Sequence, residues 1–299
     1  MVNGSAHVSL SAAMAGDPVS RSILFDVRLP RVLVAALVGA ILAMAGATFQ
    51  TLLRNPFADP FILGVSGGAA AGAAIATVLH LDEFPGVIPL VAFIGACGAT
   101  ATVFLLARRR EYTDTTRLLL SGLVLNAFFS AVILFVFAFA PSSDLTAALR
   151  WMMGSLFTSS WSDVGLLGVF LIMGLVLLSA LANDLRMLAF GEDDAKSRGI
   201  DVERVKLAGF VAGSIITGAA VAVSGIIGFI GLLVPHLIRL LWRGDYRTLL
   251  PLSAVGGALL LVVSDLLSRI IVRPAELPVG AFTALLGVPF FLSVLRRSR

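Results

Sequence analysis

Residues that could do chemistry are few in this chain and stand far apart. The three histidines, His7, His80 and His236, share no spacing with one another or with the single cysteine, Cys97. No G-x-x-x-x-G-K-[ST] sequence is present to cradle the phosphates of ATP, and no H-E-x-x-H metal motif is present. These patterns argue against an enzyme, and we expect no catalytic residue, no metal site and no cofactor in this chain.

One acid and one base stand at the spacing of an ion pair. Asp265 precedes Arg269 by four residues in an apolar segment, so a helix places both on one face and each neutralises the other. A proton-coupled or sodium-coupled carrier usually needs acids near the membrane midplane. The main polar candidate inside the fourth apolar segment is Asn126, which does not ionise. The pattern therefore favours a structural ion pair over an ion-coupled carrier.

The composition explains why charges are so sparse. Only 13% of the 299 residues are charged and 58% are hydrophobic, where a soluble domain carries about 25% charged residues. A soluble fold of this length needs far more polar surface. The net charge of +4 comes without any basic stretch interleaved with aromatic residues, so no nucleic-acid partner is indicated. The fold class is an all-α membrane protein, built as a polytopic helical bundle.

Apolar segments long enough to cross a bilayer need about 20 residues. We predict a single transmembrane domain over 1–299 with nine spans. They lie at 32–53, 61–81, 87–107, 118–140, 164–182, 207–223, 226–241, 249–267 and 277–295. Residues 207–241 could instead form one long helix, but cations at both outer ends favour a hairpin broken at Ser224 and Gly225.

The distribution of cations orients these spans. Loops on one side hold 16 of the 22 cations, so that side and the C-terminus are predicted to be cytoplasmic. The first 30 residues then lie outside without the apolar core of a signal peptide, and nine is an odd number of spans. We therefore expect that a further helix precedes this chain. The six cations on the outer side are Arg21, Arg28, Arg31, Arg150, Arg269 and Arg273.

Three of those outer arginines stand where a partner would meet them. Arg28 and Arg31 open the first span, and Arg269 closes the eighth. Guanidinium groups there can receive carboxylates of an external partner by bidentate contacts. They can equally extend towards lipid phosphates. Composition and spacing leave both alternatives open.

Two connections on the cytoplasmic side have unusual sequences. Residues 54–69 contain two prolines and an aspartate, which predict a rigid, non-helical turn. Residues 184–206 form the longest cytoplasmic connection, and their pattern predicts two short helices joined at Gly191. A soluble partner would dock here if the segment is more than a solvated loop.

Several motifs in order resemble one family. They include RLPR at 28–31, GATFQTLLRNPFADPFILGVSGGA at 46–69, LLLSG at 118–122, AFGEDDAKSRGI at 189–200 and GFIGLLVPHLIRLL at 228–241. The segments 249–269 and 276–297 continue the match, which covers residues 23–297. The chain resembles FecCD-type permease subunits of binding-protein-dependent ABC importers for iron–siderophore complexes, haem and cobalamin.

The resemblance implies a ten-helix permease in the cytoplasmic membrane that works as a homodimer. Its implied partners are two ATPase subunits, which carry ATP and Mg, and a periplasmic or lipid-anchored substrate-binding protein. We expect an iron–siderophore cargo moved by ATP-driven alternating access. Haem or cobalamin import within the same family is the first alternative, and an ion-coupled carrier without ATPase subunits is the second.

The resemblance also implies roles for particular residues. Arg28, Arg31 and Arg269 match arginines that meet carboxylates of the binding protein. Asn55 and Phe57, with Thr115 and Thr116, match the inner gate of the translocation path. Residues 184–206 match the loop that couples to the ATPase, and its coupling residues are Met187, Leu188, Gly191, Glu192, Ala195 and Gly199.

Overall fold

The computed structural model describes residues 17–84, 86–108, 112–242, 244–272 and 276–297, and these ranges are almost entirely helical. Arg273, one of the six outer cations, lies outside them. The helices are α1 (Pro18–Leu52), α2 (Val65–Val78), α3 (Val87–Ala107), α4 (Thr115–Phe139), α5 (Ser142–Met152), α6 (Trp161–Ala180), α7 (Ala182–Phe190), α8 (Glu192–Ser197), α9 (Val202–Ser224), α10 (Ile230–Leu241), α11 (Tyr246–Ile270) and α12 (Val279–Arg297).

Nine apolar helices in the described ranges confirm the nine predicted membrane segments. Six are long and apolar enough to cross a bilayer, whereas α2, α10 and α12 have shorter apolar stretches. The predicted break after Ser224 is also confirmed, because α9 ends there and α10 begins at Ile230. Gly225 makes this break possible: its φ is +68°, and a Cβ at this position would overlap the carbonyl oxygen of Trp151.

The connections alternate between two ends of the bundle. At one end, Arg186 of α7 pairs with Asp245 before α11, and Lys206 of α9 donates to the carbonyl of Thr113 before α4. We call this end, with α7 and α8, the inner end, following the charge bias. At the outer end, Arg31 of α1 reaches Glu276 before α12.

Helix α1 runs through the centre of the bundle, and α11 is held against it at three levels. Near the outer end, Arg31 binds Asp265. In the middle, Gly39 and Gly257 lie so close that a Cβ on either would overlap the carbonyl oxygen of the other. Near the inner end, the hydroxyls of Thr48 and Tyr246 are 2.8 Å apart. Small residues permit this approach, as is common between membrane helices.

The outer faces of the bundle are apolar. Helix α4 is mainly exposed, and its surface carries large hydrophobic side chains such as Leu123, Phe128 and Phe135. In contrast, every residue of α1 from Val38 to Leu52 is buried. Such a surface fits a lipid environment, since lipid tails are as apolar as these side chains.

Candidate functional site

The predicted coupling segment forms two short helices at the inner end. α7 ends at Phe190, α8 begins at Glu192, and Gly191 joins them. Gly191 has φ +150° and ψ 152°, a conformation that is essentially limited to glycine. α8 ends at Ser197, and the turn that follows has Gly199 at φ +80° and a hydrogen bond from the amide of Ile200 to the carbonyl of Ala195. The two glycines therefore set the direction of α8.

The six predicted coupling residues do not share one surface. Leu188 and Ala195 are fully buried and anchor α7 and α8 to the bundle, whereas Gly199 is exposed. Met187, Gly191 and Glu192 are half-buried. Phe190, which the sequence did not single out, is 68% exposed at the junction of the two helices. The residues available to a partner therefore surround this junction.

Glu192 ties the coupling segment to α9 through a buried lysine. Nζ of Lys206 is 2.8 Å from Oε1 of Glu192 and 3.5 Å from Oε1 of Glu203. The same Nζ donates to the carbonyl of Thr113 at 3.0 Å, and the hydroxyl of Thr113 donates to Oε2 of Glu203 at 2.6 Å. The Lys206 side chain is only 5% exposed. We call these four residues the lysine cluster, and they join α8, α9 and the segment before α4.

The predicted gate residues have two different sets of neighbours. Asn55 accepts a hydrogen bond from the amide of Phe57, whose ring packs against His236 of α10 and Phe291 of α12. Thr115 instead lines a small void with Lys206 and Phe210 of α9. Thr116 is exposed beside it and donates its amide to Asp114. No described contact joins the two halves of the predicted gate, whose role stays a prediction.

The predicted non-helical turn over 54–69 is only partly correct, because Pro60–Leu63 form a short 3₁₀ helix and α2 already begins at Val65. The non-helical part before Pro60 holds a buried acid. Asp59 is only 7% exposed. Its Oδ1 accepts a hydrogen bond from the amide of Phe61, so Asp59 caps the N-terminus of the short helix Pro60–Leu63. Because burial penalises the charged form, the pKa of Asp59 is raised to about 6, although the bond from Phe61 partly opposes the rise.

At the outer end, Asp265 binds two guanidinium groups. Its Oδ1 is 2.9 Å from Nη2 of Arg31, and its Oδ2 is 2.9 Å from Nη2 of Arg269, so the predicted pair of Asp265 and Arg269 is present. Arg31 also places Nη1 2.9 Å from Oε2 of Glu276. Asp265 is 1% exposed. We call these four residues the aspartate cluster.

This cluster changes what the outer arginines can offer to a partner. Arg28, Arg31 and Arg269 are each 7% exposed. Two of them already bind Asp265, and Arg31 also borders an outer cavity of about 680 Å³ with Arg150 and Glu276. An incoming carboxylate would therefore have to compete with internal acids. Sequence reasoning missed Glu276, because nothing in the spacing links it to Arg31.

Lys206 was also missed as a site residue. In the sequence it is one of several cations that mark the cytoplasmic side, and only the fold shows that it is buried against Glu192. A signal was present in its position near the start of an apolar helix, where a buried cation needs a partner.

Apolar helices with ion clusters near the two ends of the bundle define an integral membrane protein. The chain belongs to the FecCD transport family, whose model matches residues 1–297. It is therefore the permease subunit of an ABC importer, a multi-pass protein of the cytoplasmic membrane that works with ATPase and binding-protein partners and needs no cofactor of its own. This assignment excludes the ion-coupled carrier left open by the sequence.

Two curated relatives show the range of the family. The cobalamin import system permease protein BtuC of Halobacterium salinarum is 43% identical over 274 residues, covering 92% of this chain and 73% of the relative. The hemin transport system permease protein HmuU of Yersinia pestis is 42% identical over 283 residues, covering 93% of this chain and 84% of the relative.

A solved structure supports the fold. It is a metal-chelate type ABC transporter in an inward-facing conformation, 32% identical in sequence, with a TM-score of 0.85. The alignment covers 94% of this chain and 90% of that one.

Replacing Asp59 by Asn should stabilise the permease in a pH-dependent manner. The raised pKa means that the folded state holds the proton better than the unfolded state, so stability falls as pH rises from about 4 to 6. Asparagine removes this penalty and can still accept from the amide of Phe61. We expect Asp59→Asn to gain up to about 3 kcal/mol at pH 7.5 and almost nothing at pH 4.

The measurement is thermal unfolding in detergent at both pH values. The matched control is Asp114→Asn, because Asp114 caps α4 in the same way but is partly exposed, and we expect a much smaller change. An unchanged or lower Tm for Asp59→Asn at pH 7.5 would show that the buried carboxylate does not destabilise the fold.

Proposed function

We propose that the cargo is a macrocyclic metal chelate, haem or a corrinoid such as cobalamin, and not the iron–siderophore expected from the sequence. The observation that supports this is that several relatives at about 40% identity are named as cobalamin or hemin permeases. The motifs in the chain concern docking, coupling and packing, so they do not select a cargo.

We also propose a homodimer whose C-terminus is cytoplasmic. Sixteen of 22 cations support this orientation. The exposed apolar surface of α4 offers a face that a second copy or lipid would cover. In this proposal the cargo passes between the two copies, and the gate formed by Asn55, Phe57, Thr115 and Thr116 closes the path at the inner end.

In the proposed cycle, the ATPase contacts the junction of α7 and α8, and the lysine cluster carries the motion into α9. A transport cycle needs two packings of one sequence that the ATPase stabilises differently. Lys206 is suited to this because it binds Glu192 of α8 directly and is buried against the bundle. A displacement of α8 must therefore either move α9 or break this ion pair.

The cargo is tested by uptake into proteoliposomes that contain the permease, its ATPase and its binding protein. We expect ATP-dependent uptake of cyanocobalamin or hemin and much slower uptake of a ferric siderophore offered at the same concentration. Preferred uptake of the siderophore would restore the original expectation. A matched preparation without ATP measures leakage.

Coupling is tested at Glu192. Glu192→Gln keeps the shape of the side chain but removes its charge, so its interaction with Lys206 changes from an ion pair to a weaker hydrogen bond. We expect several-fold more ATP hydrolysed per cargo molecule imported, and a similar effect for Gly191→Ala, which cannot adopt the backbone conformation of Gly191. Glu83→Gln, at an exposed acid of the outer end, is the control and should keep the normal coupling ratio. Normal coupling ratios in both test variants would refute the assignment.

We propose that the binding protein docks at Arg28, Arg31 and Arg269. This can be tested through Glu276, because its carboxylate already pairs with the guanidinium of Arg31. Glu276→Gln releases Nη1 of Arg31 for an incoming carboxylate, so we expect several-fold tighter association with the binding protein. Arg31→Gln should weaken association. Glu83→Gln removes an exposed acid at the outer end and should change little.

The measurement is the equilibrium binding of the purified binding protein to permease in nanodiscs at two salt concentrations, alongside the Tm of each variant. If Glu276→Gln binds no more tightly than Glu83→Gln while both remain folded, then Arg31 does not receive a carboxylate of the binding protein.

A further inference from the structure

A second charged cavity opens at the inner end, beside the coupling segment. Its volume is about 540 Å³. The C-terminal end of α1 forms one wall, the exposed side of α7 forms another, and the start of α11 closes the third. Its charged lining consists of Arg54, Arg186, Arg239 and Asp245, and we call it the arginine cavity.

Positive charge in this cavity is not balanced by the described acids. Asp245 lies 3.4 Å from Arg186, which accounts for one guanidinium. Arg239 donates from Nη2 to the hydroxyl of Thr51 at 2.9 Å, and among the described residues no carboxylate lies within 4.0 Å of its guanidinium or that of Arg54. Two guanidinium groups therefore remain available to an anionic ligand.

The side-chain oxygen of a buried glutamine in the wall lacks a partner among the described residues. Gln50 is fully buried, and its Nε2 donates to the carbonyls of Gly231 and Leu232 at 3.2 and 3.1 Å. Its Oε1 has no hydrogen-bond partner among the described residues. This oxygen is buried, so the groups that the cavity offers to a ligand are its guanidinium donors. An acidic side chain fits this need, because a carboxylate accepts hydrogen bonds from arginine.

Arg54 keeps its side chain in the cavity at a conformational cost. Helix α1 ends in a Schellman motif, in which the amide of Asn55 donates to the carbonyl of Gln50 and that of Arg54 donates to Thr51. Arg54 occupies the left-handed position of this motif, with φ +49°, where glycine is the favoured residue. Strained backbone positions of this kind gather at functional sites.

We propose that the arginine cavity binds an acidic side chain on a segment of the ATPase subunit, with Arg54 and Arg239 as its direct contacts. The proposal rests on the proposed function, in which the ATPase contacts α7 and α8. Because Ala189 and Phe190 of α7 line the cavity, a subunit seated on α7 lies next to its opening. The arginines of the cavity would then hold the ATPase by ion pairing next to the coupling segment of α7 and α8.

Arg54 can be replaced by glycine without straining the backbone, because glycine is favoured at its left-handed φ. The substitution therefore tests the guanidinium group alone. We expect Arg54→Gly to bind the ATPase about tenfold more weakly in nanodiscs, with a smaller salt dependence and with a Tm that is unchanged or higher. Arg239→Gln should have a similar effect on affinity. Arg117→Gln removes an exposed inner-end cation outside the cavity and should bind normally.

Two further arms separate the possible failures. Asp193→Lys reverses an exposed charge on α8 and should weaken ATPase binding if the ATPase contacts the coupling segment. If Asp193→Lys binds the ATPase weakly but Arg54→Gly binds it normally, only the cavity proposal is wrong. If both variants bind normally, the proposed contact of the ATPase with the coupling segment is wrong as well.

An anionic lipid is the competing occupant. If Arg54→Gly loses lipid phosphate retained from phosphatidylglycerol nanodiscs while its ATPase affinity is unchanged, the cavity binds a lipid headgroup and the proposal is wrong. If the proposal is right, the defect persists in nanodiscs of phosphatidylcholine alone. A Glu-to-Arg or Asp-to-Arg substitution in the ATPase that restores binding to Arg54→Glu would then identify the acidic partner.

Discussion

The close contact between α1 and α11 is the constraint on which the rest of this structure depends. In a membrane, helices gain little from hydrophobic burial against one another, so close packing and polar bonds must hold them together. Here the packing is the crossing of Gly39 and Gly257, and the polar bonds are Arg31 to Asp265 and Thr48 to Tyr246. Helices α6, α9 and α10 then pack around α1.

Two of the three charged sites lie at the ends of this helix pair, and the third, the lysine cluster, lies at the inner end on α8 and α9. The aspartate cluster joins the outer ends of α1 and α11, while the arginine cavity is bounded by their inner ends. In the proposed cycle, a partner at either end therefore acts on the same rigid pair. The described clusters lie near the two ends of the bundle because an unpaired ion in hydrocarbon is costly. Pairing neutralises their charge, and in the proposed cycle they are also where partners bind.

Features that depend on local sequence were predictable. The nine apolar segments, the break after Ser224, the helix pair joined at Gly191 and the pairing of Asp265 with Arg269 all follow from hydropathy, glycine and helical spacing. Features that depend on distant residues were not predictable. Glu276 meets Arg31 across 245 positions, and Lys206 meets Thr113 across 93. No periodicity links such residues, since only the packing of helices brings them together.

By itself, the sequence determined that this protein is a helical membrane protein, how many apolar segments it has, which side carries the positive charge and which family its motifs resemble. These properties are sums over local segments, whose transfer into a bilayer depends on composition and length. Only the tertiary structure decided that Arg31 and Arg269 share one buried carboxylate, that Lys206 holds the coupling segment and that Arg54, Arg186 and Arg239 border one cavity. Such partnerships depend on where helices cross, and that depends on side-chain packing throughout the bundle.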